Sequence, residues 1–168
     1  MNTLAIVIDR PEHLMLSRLH LPKLQDEDVV VEVEWSGIST GTERLLWRGQ
    51  MPSFPGMGYP LVPGYESFGE VVEARGESGL AVGDHVFVPG ANCFGDGVRG
   101  LFGGASALLV TPATRVAKLD AGHGERGALL ALAAHGRLGQ LSGAHPVCRL
   151  QQMSPPGRRP AGVAGAGC

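Results

Sequence analysis

In "VPGYESFGEVVE" (residues 62–73) a phenol and a carboxylate, Tyr65 and Glu66, stand side by side where a glycine turn runs into an alternating strand. Upstream, Gly37-Ile38-Ser39-Thr40-Gly41-Thr42-Glu43 forms a second turn, rich in hydroxyls and ending in an acid. A phenol, a carboxylate and hydroxyls are side chains that can take up and hand on a proton. Each of these residues also has a plainer reading. Tyr65 is a packed aromatic, Glu66 pins backbone amides, and Thr42 caps the short helix that follows.

Two further groups of residues bear on chemistry. Cys93, Cys148 and Cys168 lie far apart and form no CxxC pair, which argues against a disulfide framework and a closed zinc site. Cys93, alone in "PGANCFGDGVRGLFGG", reads as a packed or bystander thiol. The segment "LLWRGQMPSFPGMGYPLVPGY" gathers Trp47, Met51, Phe54, Met57, Tyr59 and Tyr65 in a chain that is only 5% aromatic. Without further information these residues read as a loop packed on the fold beneath it; their flat faces and adaptable thioethers could also meet a large planar ligand.

The elements that must position these residues are mostly strands. "TLAIVID" and "LMLSRLHL" flank a Pro-Glu turn, and "VVVEVEWSG" alternates with Val29, Val31, Val33 and Trp35 on one face and Glu32 and Glu34 on the other. "SFGEVVEA", "DHVFVPG", "ASALLVTP" and "RVAKLD" are further strands, separated by Gly, Pro and Asp. "GTERLLWRG" is a short helical turn and "ERGALLALAA" the start of a longer helix. Many short strands with 26 Gly and 12 Pro predict a mainly β chain forming a small antiparallel barrel.

Charge divides the chain. Up to Glu125 there are 9 Lys and Arg against 16 Asp and Glu; from Arg126 onward there are 5 Arg and no acid, nor any Phe, Trp or Tyr. The net charge of −2 gives no footprint for nucleic acid. The N-terminus lacks a basic leader and its apolar run is too short for a membrane span, so a reducing, cytoplasmic setting is expected. Residues 135–168, mostly small residues, Pro and Arg, offer little apolar area to offset the entropy of ordering and are expected to be poorly ordered.

Four stretches in this order, "VEVEWSGISTGTE", "YPLVPGYESFGEVVEARG", "VGDHVFVPG" and "GGASALLVTPATRVAKLD", resemble the N-terminal GroES-like domain of the medium-chain dehydrogenase/reductases. More narrowly, "WSGISTGTERLLWRGQMPSFPGMGYPLVPGYE" and "FVPGANCFGDGVRGLFGGASALLVTPA" resemble the branch that oxidises the 3-(1-hydroxyethyl) group of bacteriochlorophyllide a to 3-acetyl. The resemblance implies a GroES-like barrel over residues 1–127 and a connecting helix from 128 to 134. It further implies NAD held by a Rossmann domain, a bacteriochlorophyllide substrate and a homodimer in the full-length enzyme. No strand–GxGxxG–helix unit follows Ala134, and the abrupt change of composition resembles either a frame-shifted reading of GC-rich sequence or a natural short tail.

The resemblance also assigns roles. Zinc-dependent members hold catalytic zinc with a Cys in the first turn and a His before the acid. Here Ser39 or Thr40 takes the Cys position and Tyr65 the His position, while Glu66 is retained. Neither replacement is a good zinc ligand, so a zinc-free site is expected, with Tyr65, Glu66, Thr42 and Ser39 as its catalytic candidates. Thr42 matches the hydroxyl that relays protons in the zinc enzymes. The structural-zinc lobe of the family, which carries four cysteines, retains only Cys93. Two other functions fit the same resemblance: a zinc-free, NADPH-dependent quinone or enone reductase, and a non-catalytic GroES-like binding module.

Overall fold

The computed structural model describes residues 1–95, 97–100 and 102–119, together with a strand at Val147–Arg149. All seven strand segments expected from the sequence form strands. They are β1 (Asn2–Arg10), β2 (His13–His20), β3 (Asp28–Gly37), β4 (Ser67–Ala74), β5 (His85–Val88), β6 (Leu108–Pro112) and β7 (Ala117–Lys118). The short helix α1 spans Thr42–Trp47, and Val147–Arg149 is β8.

The main sheet runs β6-β3-β4-β5-β7, with β8 also paired to β3, and every pairing is antiparallel. Strands β1 and β2 form a separate hairpin whose turn holds Glu12 at φ 61°. Backbone bonds tie the hairpin to the approach of β6: Ala107 N donates to Leu4 O and Ile6 N to Ala105 O. Thr3 Oγ1 accepts from Leu108 N at 2.7 Å, so a buried hydroxyl is satisfied where two sheets meet.

The apolar core has two main parts. Val29, Val31, Val33, Val71, Val86, Val88 and Leu109 form one, and Val30, Val62 and Val110 join Ala5, Val7 and Leu19 of the hairpin in the other. Strand β3 is therefore buried on both faces along Val29–Val31, which is why its β-branched run is continuous there.

This corrects the simple alternation expected for β3. Val30 shares the face of Glu32 yet is fully buried. Beyond Val33 the register slips, with Val33 opposite Gly69 and Trp35 opposite Phe68, so Glu34 is the extra residue of a β-bulge. Gly69 and Phe68 are consecutive and point to opposite faces, so Trp35 leaves the Val29–Val33 face and joins that of Phe68. A one-residue insertion reverses every later side chain, and period-two reading has no signal for it.

The expected helix at residues 128–134 lies outside the described residues. So does the expected low-order tail at residues 135–168, apart from Val147–Arg149, which pairs with Trp35–Gly37 of β3. Among the described residues no helix is long and apolar enough to cross a membrane.

Candidate functional site

Two turns meet at the open end of β3 and β4. The first leaves β3 at Gly37 and enters α1; the second runs from Val62 into β4. Gly37 N donates to the backbone carbonyl of Glu66 at 2.7 Å, and Gly104 N to Gly64 O at 2.7 Å, so three segments are clamped around Tyr65. Gly64 makes the second turn possible. Its φ is +92°, and a Cβ there would fall 2.8 Å from Ala105 N.

In α1 the capping differs from expectation. Gly41 occupies the N-cap position and Thr42 makes no capping bond. Ser39, only 1% exposed, takes over the capping. Its Oγ accepts from Thr42 N at 3.3 Å, while the Glu43 carboxylate accepts from Ser39 N. This reciprocal arrangement resembles a capping box moved one residue along the chain. It leaves the Thr42 hydroxyl free to face the second turn, where Tyr65 Oη donates to Thr42 Oγ1 at 3.3 Å.

The acids behave differently from each other. Glu66 is 4% exposed, and its Oε2 is buried with no hydrogen-bond partner among the described residues. The amide-pinning role considered for Glu66 falls instead to Glu43, which accepts from the amides of Ser39 and Gly64. Burial pushes the Glu43 carboxyl up to about 7; those amides oppose the shift, and the nearby charge of Glu66 adds to it. Sequence reading did not select Glu43. Its signal was present, an acid four residues after Ser39 at the end of the "GTE" turn, but only folding brings it against Glu66.

The Tyr65 ring rests on Phe102, with centroids 5.6 Å apart. Phe102 in turn joins Met51, Met57 and Tyr59 over the buried Ile8, Leu46 and Leu61. Tyr59 Oη is fixed by the Leu46 carbonyl. The Met/aromatic loop is thus packed on the fold, yet Met51, Phe54, Met57, Tyr59 and Tyr65 each keep part of their surface open. The packed-loop reading therefore holds, and part of the loop's apolar surface remains open.

The donors at the Tyr65 turn are the hydroxyls of Ser39 and Thr42, a phenol and two carboxylates, with no thiol or imidazole among them. Cys93 is exposed, so it is a bystander rather than a packed thiol. One group of three metal-ligating side chains occurs among the described residues: Glu34, Glu70 and His85, with ligand atoms within 4.8 Å of one another. It shares no residue with the Tyr65 turn, and His85 Nε2 already faces Glu34 Oε1 at 3.4 Å.

Residues 25–121 match the alcohol dehydrogenase GroES-like domain. The chain belongs to this family. The chain is 58% identical over 137 residues to the 2-desacetyl-2-hydroxyethyl bacteriochlorophyllide A dehydrogenase of Rhodobacter capsulatus, a match covering 82% of this chain and 44% of that one. The enzyme of the same name from Cereibacter sphaeroides is 54% identical over 141 residues, with the same coverage. The solved 2R,3R-butanediol dehydrogenase of Bacillus subtilis superposes with a TM-score of 0.60 at 26% identity, over 76% of this chain and 44% of that one. This GroES-like domain therefore sits in a chain that spans 44% of the length of those curated relatives. The expected medium-chain dehydrogenase resemblance and mainly β GroES-like fold are both borne out.

Proposed function

We propose that this domain forms the substrate-side wall of an enzyme that oxidises the 3-(1-hydroxyethyl) group of a bacteriochlorophyllide to 3-acetyl. Its Tyr65 turn handles the hydroxyl proton without zinc. One observation carries the reading: a phenol hydrogen-bonded to a threonine hydroxyl is followed in the chain by Glu66, whose Oε2 is buried with no partner among the described residues. Leaving such an oxygen unsatisfied costs free energy, and sites of reaction are where that cost is tolerated. The identity to the two bacteriochlorophyllide dehydrogenases supports the choice of substrate.

In this reading the substrate hydroxyl donates toward Tyr65 Oη, and the proton passes by way of Thr42 toward the Glu43–Glu66 pair. Ser39 holds the turn in register through its two bonds. An acid raised to about 7 can accept a proton near neutral pH and release it again. The Met/aromatic loop supplies a flat floor for the macrocycle. All pairings between the named strands β1–β8 are antiparallel, so no βαβ unit among the described residues can hold a dinucleotide. NAD, the hydride acceptor of this chemistry, would be bound by chain beyond them. The full-length enzyme is proposed to work in the cytoplasm as a homodimer.

The donor set does not fit the family's catalytic zinc: the thiolate and imidazole are replaced by neutral hydroxyls, which bind zinc poorly, and carboxylates alone remain. Elemental analysis of the purified protein is expected to find no stoichiometric zinc; about one zinc per chain, retained after mild chelation, would refute the zinc-free site.

The activity is tested by absorbance, giving the full-length enzyme 3-hydroxyethyl bacteriochlorophyllide with NAD⁺, or a simple quinone with NADPH. Oxidation of the tetrapyrrole supports the proposal. Reduction of the quinone alone would assign the domain to a zinc-free reductase, and inertness toward both would leave a binding module.

A further inference from the structure

We propose that Arg99 is the specificity residue that anchors the propionate carboxylate of the tetrapyrrole. This rests on the bacteriochlorophyllide reading above and extends it from the reacting hydroxyl to the opposite side of the substrate.

The position of Arg99 follows from backbone pairing. Arg99 N donates to Pro60 O at 2.9 Å and Val62 N to Arg99 O at 3.0 Å, which places Arg99 alongside Leu61 in a parallel bridge. The two segments then continue together toward the reacting end, with Gly103 N donating to Val62 O and Gly104 N to Gly64 O. Arg99 and Tyr65 thus mark two ends of one short ladder. From Leu61 to Tyr65 the chain covers four residues, at most roughly 13 Å because it turns at Gly64. That is comparable to the width of a tetrapyrrole macrocycle.

The guanidinium lies along the Met/aromatic loop. Its Nη1 is 3.4 Å from Gly56 O, a long contact, and Nε lies so close to Gly58 that a Cβ there would fall 2.7 Å from it. Glycine at this position leaves room for the arginine against the loop backbone. Arg10 and Arg75 each pair with a carboxylate, Asp9 and Glu73, whereas no carboxylate among the described residues pairs with Arg99. An exposed fork of donors is therefore available at the rim of the loop. Met57 and Tyr59 flank the Gly58 that Arg99 lies against, Phe102 meets the Tyr65 ring, and all three belong to one apolar patch that would lie under a ring system.

A bacteriochlorophyllide has the complementary layout. It is the free acid, before esterification to the long-chain alcohol, so one propionate side chain ends in a carboxylate. That carboxylate lies across the macrocycle edge from the hydroxyethyl group. Guanidinium binds carboxylate through two parallel hydrogen bonds, which fix orientation as well as affinity. With the propionate held at Arg99, rotation of the disc over the loop is stopped and the hydroxyethyl group faces Tyr65.

The test uses the active full-length enzyme with 3-hydroxyethyl bacteriochlorophyllide and with its propionate methyl ester. The wild type is expected to show a KM about tenfold higher for the ester, the scale of one exposed charge-assisted pair, with kcat little changed. Arg99→Gln should bind acid and ester alike, at the weaker KM, and Arg99→Lys should recover part of the preference for the acid. Equal KM values for acid and ester in the wild type, or a preference that survives in Arg99→Gln, would overturn the anchor while leaving the function intact. Failure of the wild type to oxidise either compound would overturn the function, and the anchor with it.

Discussion

Tyr65→Phe is expected to lower the turnover number of the full-length enzyme about 10²-fold while leaving KM nearly unchanged. The substitution removes one oxygen atom. The ring keeps its contact with Phe102 and the turn keeps its clamps through Gly37 and Gly104, so the floor proposed to bind the macrocycle persists. What is lost is the donor to Thr42 Oγ1, the group proposed to meet the substrate hydroxyl as its proton leaves. An interaction that strengthens only as charge develops on that oxygen acts on kcat and not on binding. Steady-state kinetics with the hydroxyethyl substrate decide the matter. Unchanged turnover would make Tyr65 a packing residue, and a rise in KM alone would make it a binding one.

Glu43 is expected to make the fold less stable as pH rises from about 4.5 to about 7, and Glu43→Gln to remove that loss. The sign follows from linkage. The carboxyl titrates near 4.5 when unfolded and near 7 when folded, because burial disfavours its charge. Between these values the folded state binds more proton than the unfolded one, so stability falls as pH rises and levels off above the folded value. At about 1.4 kcal/mol for each pH unit separating the two states, the full penalty above neutrality is about 3 kcal/mol. The glutamine of the variant carries no charge to bury, and its side-chain carbonyl can still accept from Ser39 N. At about pH 4 the melting temperatures of wild type and variant should coincide; at about pH 8 the variant should melt higher, by on the order of 10 °C. A constant difference across the range would show that Glu43 is not held in its raised state. In the full-length enzyme the same substitution should remove the rise of turnover with pH through about 7, since the neutral amide cannot accept the proton.

The two experiments probe one device by different routes. Tyr65→Phe tests the hydroxyl proposed to touch substrate, and Glu43→Gln tests the acid proposed to receive the proton behind it. Loss of turnover in both variants, with a raised melting temperature only in Glu43→Gln, is the pattern expected when a charge is kept buried for use rather than for stability.

Much of this protein was determined by local sequence. Alternating valines and Gly, Pro and Asp punctuation were enough to place all seven expected strands, because strand burial repeats every two residues and turns need particular backbone angles. Ser39, Thr42, Tyr65 and Glu66 were legible as site candidates through the family resemblance, which matches them to the ligand and relay positions of the zinc enzymes. Tertiary structure decided what periodicity could not carry. The bulge at Glu34 sent Trp35 to the other face, since one extra residue inverts a period-two pattern. Ser39 took the capping role expected of Thr42, which released the Thr42 hydroxyl to Tyr65 across 23 residues of chain. The raised acidity range of Glu43 depends on how deeply the turn is buried and on the charge of Glu66 beside it. Both are distances between segments remote in sequence, and only the folded chain sets them.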